Sequence, residues 1–149
     1  MFGIGVDIAH IPRIRRLVTR WGSRFLRRAF APAEILRFEE LERSGSGPSP
    51  AAFLAARWAA KEALHKALAP RTGLRLDFSE VEVTRSAGSG APSSRGAPAF
   101  AFHYSAAKAF QRLNLHPSLS LSHDGEYAAA FVVLTEVPPP TPGADTALG

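Results

Sequence analysis

The sequence predicts an α+β domain, a small, largely antiparallel sheet packed against one long helix. Three observations lead there. Residues 51–68 are dense in Ala and Leu, which sit in helices at little cost. Residues 78–84 (Phe-Ser-Glu-Val-Glu-Val-Thr) alternate polar and apolar, the period of a half-buried strand. Residues 119–122 and 127–134 are two further strand-like runs, with a hairpin signal at Asp124-Gly125 between them. The chain has 149 residues, one domain's worth, and its 46% hydrophobic content suffices for one core.

From the N-terminus, residues 2–8 are short, apolar and punctuated by glycine, which predicts a buried strand ending at Asp7. Pro12 suits the first turn of a helix. Ile14, Leu17, Val18 and Trp21 follow at helical spacing, so an amphipathic helix extends to Trp21. Gly22-Ser23 breaks it, and Ser23 is placed to cap a second helix running to Phe30. Residues 32–41 predict a third helix with its acidic residues exposed. Residues 44–50 (Ser-Gly-Ser-Gly-Pro-Ser-Pro) form a flexible connection. The helix at 51–68 is ended by Pro70 and Gly73. Residues 86–98, rich in Gly, Ser and Pro, predict a mobile hairpin tip before a returning strand at 99–104. Residues 105–113 predict a short helix capped by Ser105. The domain spans 1–136, and the proline-rich tail, 137–149, is expected to be disordered.

Composition narrows the function classes. The chain has no cysteine, which excludes a disulfide framework, a thiolate zinc site and a cysteine nucleophile. It has no run of 18 apolar residues, so no membrane span is expected. The start, Met-Phe-Gly-Ile-Gly-Val-Asp, carries neither a signal peptide's basic region nor an Arg/Ser-rich transit stretch. The formal charge is +5, from fifteen Arg and three Lys against thirteen acidic residues. Such a chain expects an acidic partner: nucleic acid, anionic membrane, a phosphorylated small molecule or an acidic protein.

Four groups of residues carry chemistry. Asp7 at a strand end is either a helix cap or a metal ligand. In the helix, Trp58, Glu62 and Lys66 share one face at intervals of four, and Arg57 and Lys61 form a second row beside it. An ordinary solvated Glu-Lys pair is the plain reading of such spacing. Against it, a chain that relies on Arg places two of its three lysines here, and Lys meets phosphate as a compact point charge. Ser122-His123-Asp124 closes a strand, and adjacent residues do not build a Ser-His-Asp triad. The Gly-x-Ser-x-Gly elbow is also absent, which disfavours a hydrolase. The remaining histidines show no zinc-ligand spacing. Finally, Arg13, Arg15, Arg16, Arg20, Arg24, Arg27 and Arg28 crowd into two short helices, with no carboxylate between Asp7 and Glu34. Arg13, Arg16 and Arg20 share a face opposite Ile14, Val18 and Trp21, which suggests a docking surface. A nucleic-acid module is the rival reading, but it would want interleaved exposed aromatics or a helix-turn-helix pattern.

Together these residues resemble the phosphopantetheinyl transferases. Gly3-Ile-Gly-Val-Asp7-Ile8 is similar to the family's opening Gly-x-Asp motif, and Trp58-Ala-Ala-Lys61-Glu62-Ala63 with Lys66 to its Trp-x-x-Lys-Glu-Ala-x-x-Lys signature. Ser120-Leu-Ser122-His123 followed by Glu126-Tyr-Ala-Ala-Ala is similar to the closing segment of the short, acyl-carrier-protein-synthase branch. The three motifs stand in order and span nearly the whole chain to Thr135. Two features select the short branch. The length is about half that of the broad-specificity enzymes. Those enzymes also carry a Glu two residues after the motif Asp, where this chain has Ala9, so a third protein carboxylate on the metal is not expected.

The resemblance implies the family's fold and reaction. A serine of an acidic acyl carrier protein attacks the β-phosphate of coenzyme A, and adenosine 3′,5′-bisphosphate leaves. It assigns magnesium to Asp7 and Glu62, phosphate contact to Lys66, and nucleotide phosphates to His123 with Ser122. Arg57 is grouped with the coenzyme A residues. Glu62 or a metal-held water is the base, and Lys61 an electrostatic or acid group. Arg13, Arg16, Arg20 and Arg24 become the carrier's dock. The larger relatives look like two fused copies, with the metal motifs in the second half and the Ser-His motif in the first. Short-branch members are trimers, so a homotrimer with sites between subunits is expected, acting on neither nucleic acid nor membrane. The implied location is cytoplasm in a bacterium, or mitochondrion or cytosol in a eukaryote.

Overall fold

The computed structural model describes residues 2–85 and 96–138. The stretch at 86–95 and the tail from 139 lie outside the described residues, and with them most of the expected hairpin tip and the expected disordered tail. The chain runs β1 (Gly3–His10), α1 (Ile11–Ala29), α2 (Pro32–Ser44), α3 (Pro50–Thr72), a 3-10 turn (Phe78–Glu80), β2 (Val81–Arg85), β3 (Pro98–Phe102), α4 (Tyr104–Leu113), β4 (Leu115–Asp124) and β5 (Tyr127–Glu136). The α+β class and the antiparallel pairing are as expected. One sheet has the order β1-β5-β4, and β2 pairs with β3 in a separate ribbon. No described helix is long and apolar enough to cross a membrane.

The three-stranded sheet lies against α3, and the first strand explains how. In β1 the side-chain period of two puts Gly3, Gly5, Asp7 and Ala9 on the helix side. A Cβ on Gly3 would stand 2.0 Å from the Ala67 carbonyl oxygen, and one on Gly5 would stand 1.9 Å from that of Ala63. Glycine at both positions lets strand and helix backbones touch. On β5, Ala128, Ala130, Val132 and Leu134 fill the same face, and all are buried. The core continues through Leu54, Leu64, Leu68, Phe30 and Val81.

The other face of β1 departs from expectation. The strand is not buried on both sides, and it extends to His10 rather than ending at Asp7. Ile4, Val6 and Ile8 are 55%, 56% and 65% exposed, and Phe131, paired with Val6, is also exposed. Apolar composition alone does not separate a strand buried on both faces from one with an open face.

Several ends shift for local reasons. The expected break at Gly22 is a kink inside α1, where Gly22 takes φ 47 and ψ −132. Gly73 closes α3 in the left-handed region, and Pro70 stands inside the last turn instead of ending it. Ser105 does not cap α4; its hydroxyl donates to Glu80 Oε2, which also accepts the Ala106 N–H. Asp124 pairs with Tyr127, so Gly125 and Glu126 are the loop, and Gly125 supplies the positive φ (53°) that tight hairpins require.

Candidate functional site

The close seat of β1 on α3 brings Asp7 to the helix face that carries Glu62 and Lys66. Asp7 and Glu62 line one small recess of about 150 Å³, with His10, Arg13 and Trp58 on its walls. Lys66 Nζ donates to Asp7 Oδ1 at 2.8 Å and to the Val6 carbonyl at 3.1 Å. Two of its three donors are thus committed and one is free, on a side chain that is 52% exposed. Glu62 makes no hydrogen bond or ion pair among the described residues. Two carboxylates in a recess open to water suit a hard cation that keeps part of its hydration shell. The ammonium resting on Asp7 shows that this carboxylate already faces positive charge. The wider ligand clusters that would hold an ion without water are absent among the described residues.

The second row of α3 goes elsewhere. Lys61 is fully buried. Its Nζ donates to Glu34 Oε2 at 2.6 Å, to the Ala29 carbonyl at 2.9 Å and to the Phe78 carbonyl at 2.9 Å. All three donors are used inside the protein, so no proton is left for chemistry in the recess. Arg57 follows the same row. Its guanidinium lies 3.4 Å from the centroid of the Phe53 ring, bonds the Phe53 carbonyl, and has Nε 4.0 Å from Glu34 Oε1. It too stays apart from Asp7 and Glu62. Burial lowers the Arg57 pKa to about 10 although Glu34 opposes the shift. Burial also lowers that of Lys61, against the attraction of Glu34.

Glu34 is the residue that sequence reasoning missed. It was expected on an exposed helical face and is buried at 2% exposure. Oε2 accepts the Ala31 N–H at 2.8 Å and Oε1 accepts the Val83 N–H at 2.8 Å. Its position, third in a helix opened by proline, signals a reach back to the cap. Nothing in the spacing signals a partner 27 residues away. His10 also joins the recess unannounced, its ring 5.1 Å from that of Tyr127 and its Nε2 3.7 Å from Glu126.

Ser122 and His123 sit apart from this recess. Register places Ser122 opposite Ala129 and Ile8, on the outer sheet face. With His123, Asp124 and Tyr127 it lines a shallow depression of about 410 Å³. Ile8 borders both depressions, but Asp7 and Ser122 point to opposite sides of the sheet. Within one chain the two motifs are not brought together.

Arg13, Arg16, Arg20 and Arg24 are all exposed along α1. Arg13 reaches the carboxylate recess. Trp21 borders both the arginine surface and an apolar cleft of about 710 Å³ lined by Phe25, Trp58 and Phe78, with Arg24 and Arg28 at its edge. Trp58 joins that cleft to the recess. Basic surface, apolar cleft and carboxylates form one continuous tract.

The chain is 41% identical over 133 residues to the holo-[acyl-carrier-protein] synthase of Halorhodospira halophila, covering 89% of this chain and 95% of that one. It superposes on the crystal structure of the Neisseria meningitidis holo-[acyl-carrier-protein] synthase with a TM-score of 0.74 at 32% identity, covering 91% of this chain and 99% of that one. The Helicobacter pylori holo-[acyl-carrier-protein] synthase in complex with coenzyme A gives a TM-score of 0.66 at 29% identity, covering 89% and 99%. Residues 3–132, from the glycine that seats β1 on α3 to the middle of β5, match one family throughout, and on that span the chain belongs to the 4′-phosphopantetheinyl transferase superfamily.

Proposed function

We infer that the chain transfers the 4′-phosphopantetheine of coenzyme A to a serine of an apo acyl carrier protein, with Asp7 and Glu62 as ligands of a magnesium ion. The observation that carries this reading is the meeting of Asp7 from β1 and Glu62 from α3 in one recess, with Lys66 on Asp7. Magnesium bound there contributes charge neutralisation on the pyrophosphate. The free donor of Lys66 binds a phosphate oxygen. Glu62, unpaired among the described residues, accepts the serine proton as the serine oxygen bonds to the β-phosphorus. The bond from that phosphorus to the bridging oxygen breaks, and adenosine 3′,5′-bisphosphate leaves.

The exposed arginines of α1 receive the acidic carrier. Ser122 and His123 bind nucleotide phosphates in the site of a neighbouring copy. The separation of their depression from the carboxylate recess supports that reading, and the uncovered Ile4, Val6, Ile8 and Phe131 supply apolar surface for the neighbour. Homotrimeric assembly follows from a head-to-tail contact of this kind when its rotation closes after three copies.

The test is transfer of phosphopantetheine to a panel of apo carriers, read by mass spectrometry of the carrier. Asp7→Asn and Glu62→Gln are expected to keep the fold and lose at least about a hundredfold in transfer rate, as when charge compensation at a reacting phosphate is removed. Near wild-type transfer in magnesium by either variant would overturn the metal assignment.

A further inference from the structure

Where α3 seats on β1, the surface between them is made of small side chains. Gly3 and Gly5 on the strand meet the backbone of Ala63 and Ala67 on the helix, with Asp7 and Ala9 following on the same strand face. Such a surface fixes how close the helix lies. It offers few ridges to fix the rotation of the helix about its axis or its position along it. The place of Glu62 opposite Asp7 depends on both, since one residue of slip moves a side chain by about 100° and 1.5 Å.

The residue beside Glu62 supplies the missing restraint. Lys61 ties α3 at one point to the last residue of α1 through Ala29, to the first turn of α2 through Glu34, and to the turn before β2 through Phe78. Glu34 extends the junction to β2 through Val83. Ala29 and Phe78 are also walls of the apolar cleft, so the junction sets the arginine-bearing helix relative to the carboxylate-bearing one. A buried ion pair of this kind is weak evidence for stability, because desolvation offsets its attraction, and fixing a register is its best-attested use. Once fully hydrogen-bonded, it leaves few other arrangements open.

We propose that Lys61, through its buried bond to Glu34, is a positioning residue for phosphopantetheinyl transfer, locking the rotation and register of α3 so that Glu62 faces Asp7. It touches neither substrate nor reacting atoms. The proposal rests on the reading of Glu62 as a site carboxylate.

The test compares Lys61→Met/Glu34→Gln, which removes both charges at similar volume, with Glu34→Asp, which keeps both charges and shortens the reach. Steady-state kinetics are measured well below each variant's melting temperature. The expected result is a kcat lower by about 10- to 100-fold with KM for coenzyme A within about twofold, the signature of misplacement near 1 Å. The pH–rate profile should fall as a whole and keep its shape. A folded double variant with wild-type kcat overturns the proposal, and so does a displaced limb of the profile, which would make Lys61 a direct proton donor. If the double variant does not fold, Glu34→Asp decides alone by the same kcat and KM criteria. Glu62→Gln is run alongside. Full activity there removes the site reading and the proposal together, whereas an inactive Glu62→Gln beside unaffected Lys61 and Glu34 variants removes the proposal only.

Discussion

Two lysines five positions apart on α3 have opposite fates, and the difference is the number of donors each has left. Lys66 keeps one for a ligand, and Lys61 has none. The glycines of β1 act at the same scale. Gly5 is not there for its dihedral freedom but for the space a Cβ would take 1.9 Å from the Ala63 carbonyl oxygen. The obstacle is backbone, so Gly5→Ala must lift the strand off the helix. It is expected to cost about 1–3 kcal/mol, the usual price of overpacking. It should also lower transfer in the protein that remains folded, because Asp7 rides on the same strand. Denaturant unfolding and activity per folded molecule measure the two effects separately. Wild-type values for both would show that the strand absorbs the extra methyl without moving the carboxylate.

At the scale of elements, α1 is the basic surface and its kink divides it. Arg13, Arg16 and Arg20 precede Gly22, and Arg24 follows it beside the apolar cleft. Charge steering acts on encounter and fades with salt. Reversing Arg16 and Arg20 to Glu is therefore expected to raise the KM for the carrier at least tenfold at low salt, and to leave the KM for coenzyme A unchanged. Equal losses for both substrates would mean damage to the fold, and unchanged kinetics would remove α1 as the dock. The elements themselves were largely legible: strong helix formers and a capping glycine marked α3, and alternation marked β2. The spacing of four put Glu62 and Lys66 on one helical face, whereas Asp7 was joined to them only through the resemblance; the structure brings the three side chains together. Arg57 and Lys61 lie apart from the carboxylate recess, and their spacing did not show it. Intervals of four reveal that residues share a face, but which face is buried depends on Glu34, Ala29 and Phe78, which are distant in sequence. The strand of residues 2–8 was found, and its one-sided burial was not, because a short apolar run does not show which of its faces is packed.

For the whole molecule, the proposed reaction requires the carboxylate recess and the separate Ser122–His123 depression to serve one site. Mixing Asp7→Ala with His123→Ala after reversible dissociation is expected to restore transfer, since some interfaces in the hybrids would hold an intact Asp7 from one copy and an intact His123 from the next. Confirmed hybrids without recovered activity, or a fully active monomer by light scattering, would sink the shared site.

The outer sheet face also has a colloidal consequence. In a single copy Ile4, Val6, Ile8 and Phe131 lie open together among the described residues, and β1 is the outermost strand of its sheet. Exposed apolar strands at a sheet edge adhere to one another without regard to register. The opposing influence is the net charge of +5, which keeps like copies apart at a distance. Salt screens the repulsion and leaves the apolar attraction in place, so ionic strength and concentration decide between ordered assembly and precipitation. If copies assemble through this face as proposed, solubility and assembly are set by the same strip of surface, and a substitution that makes the lone chain better behaved in solution also removes its reason to find a partner.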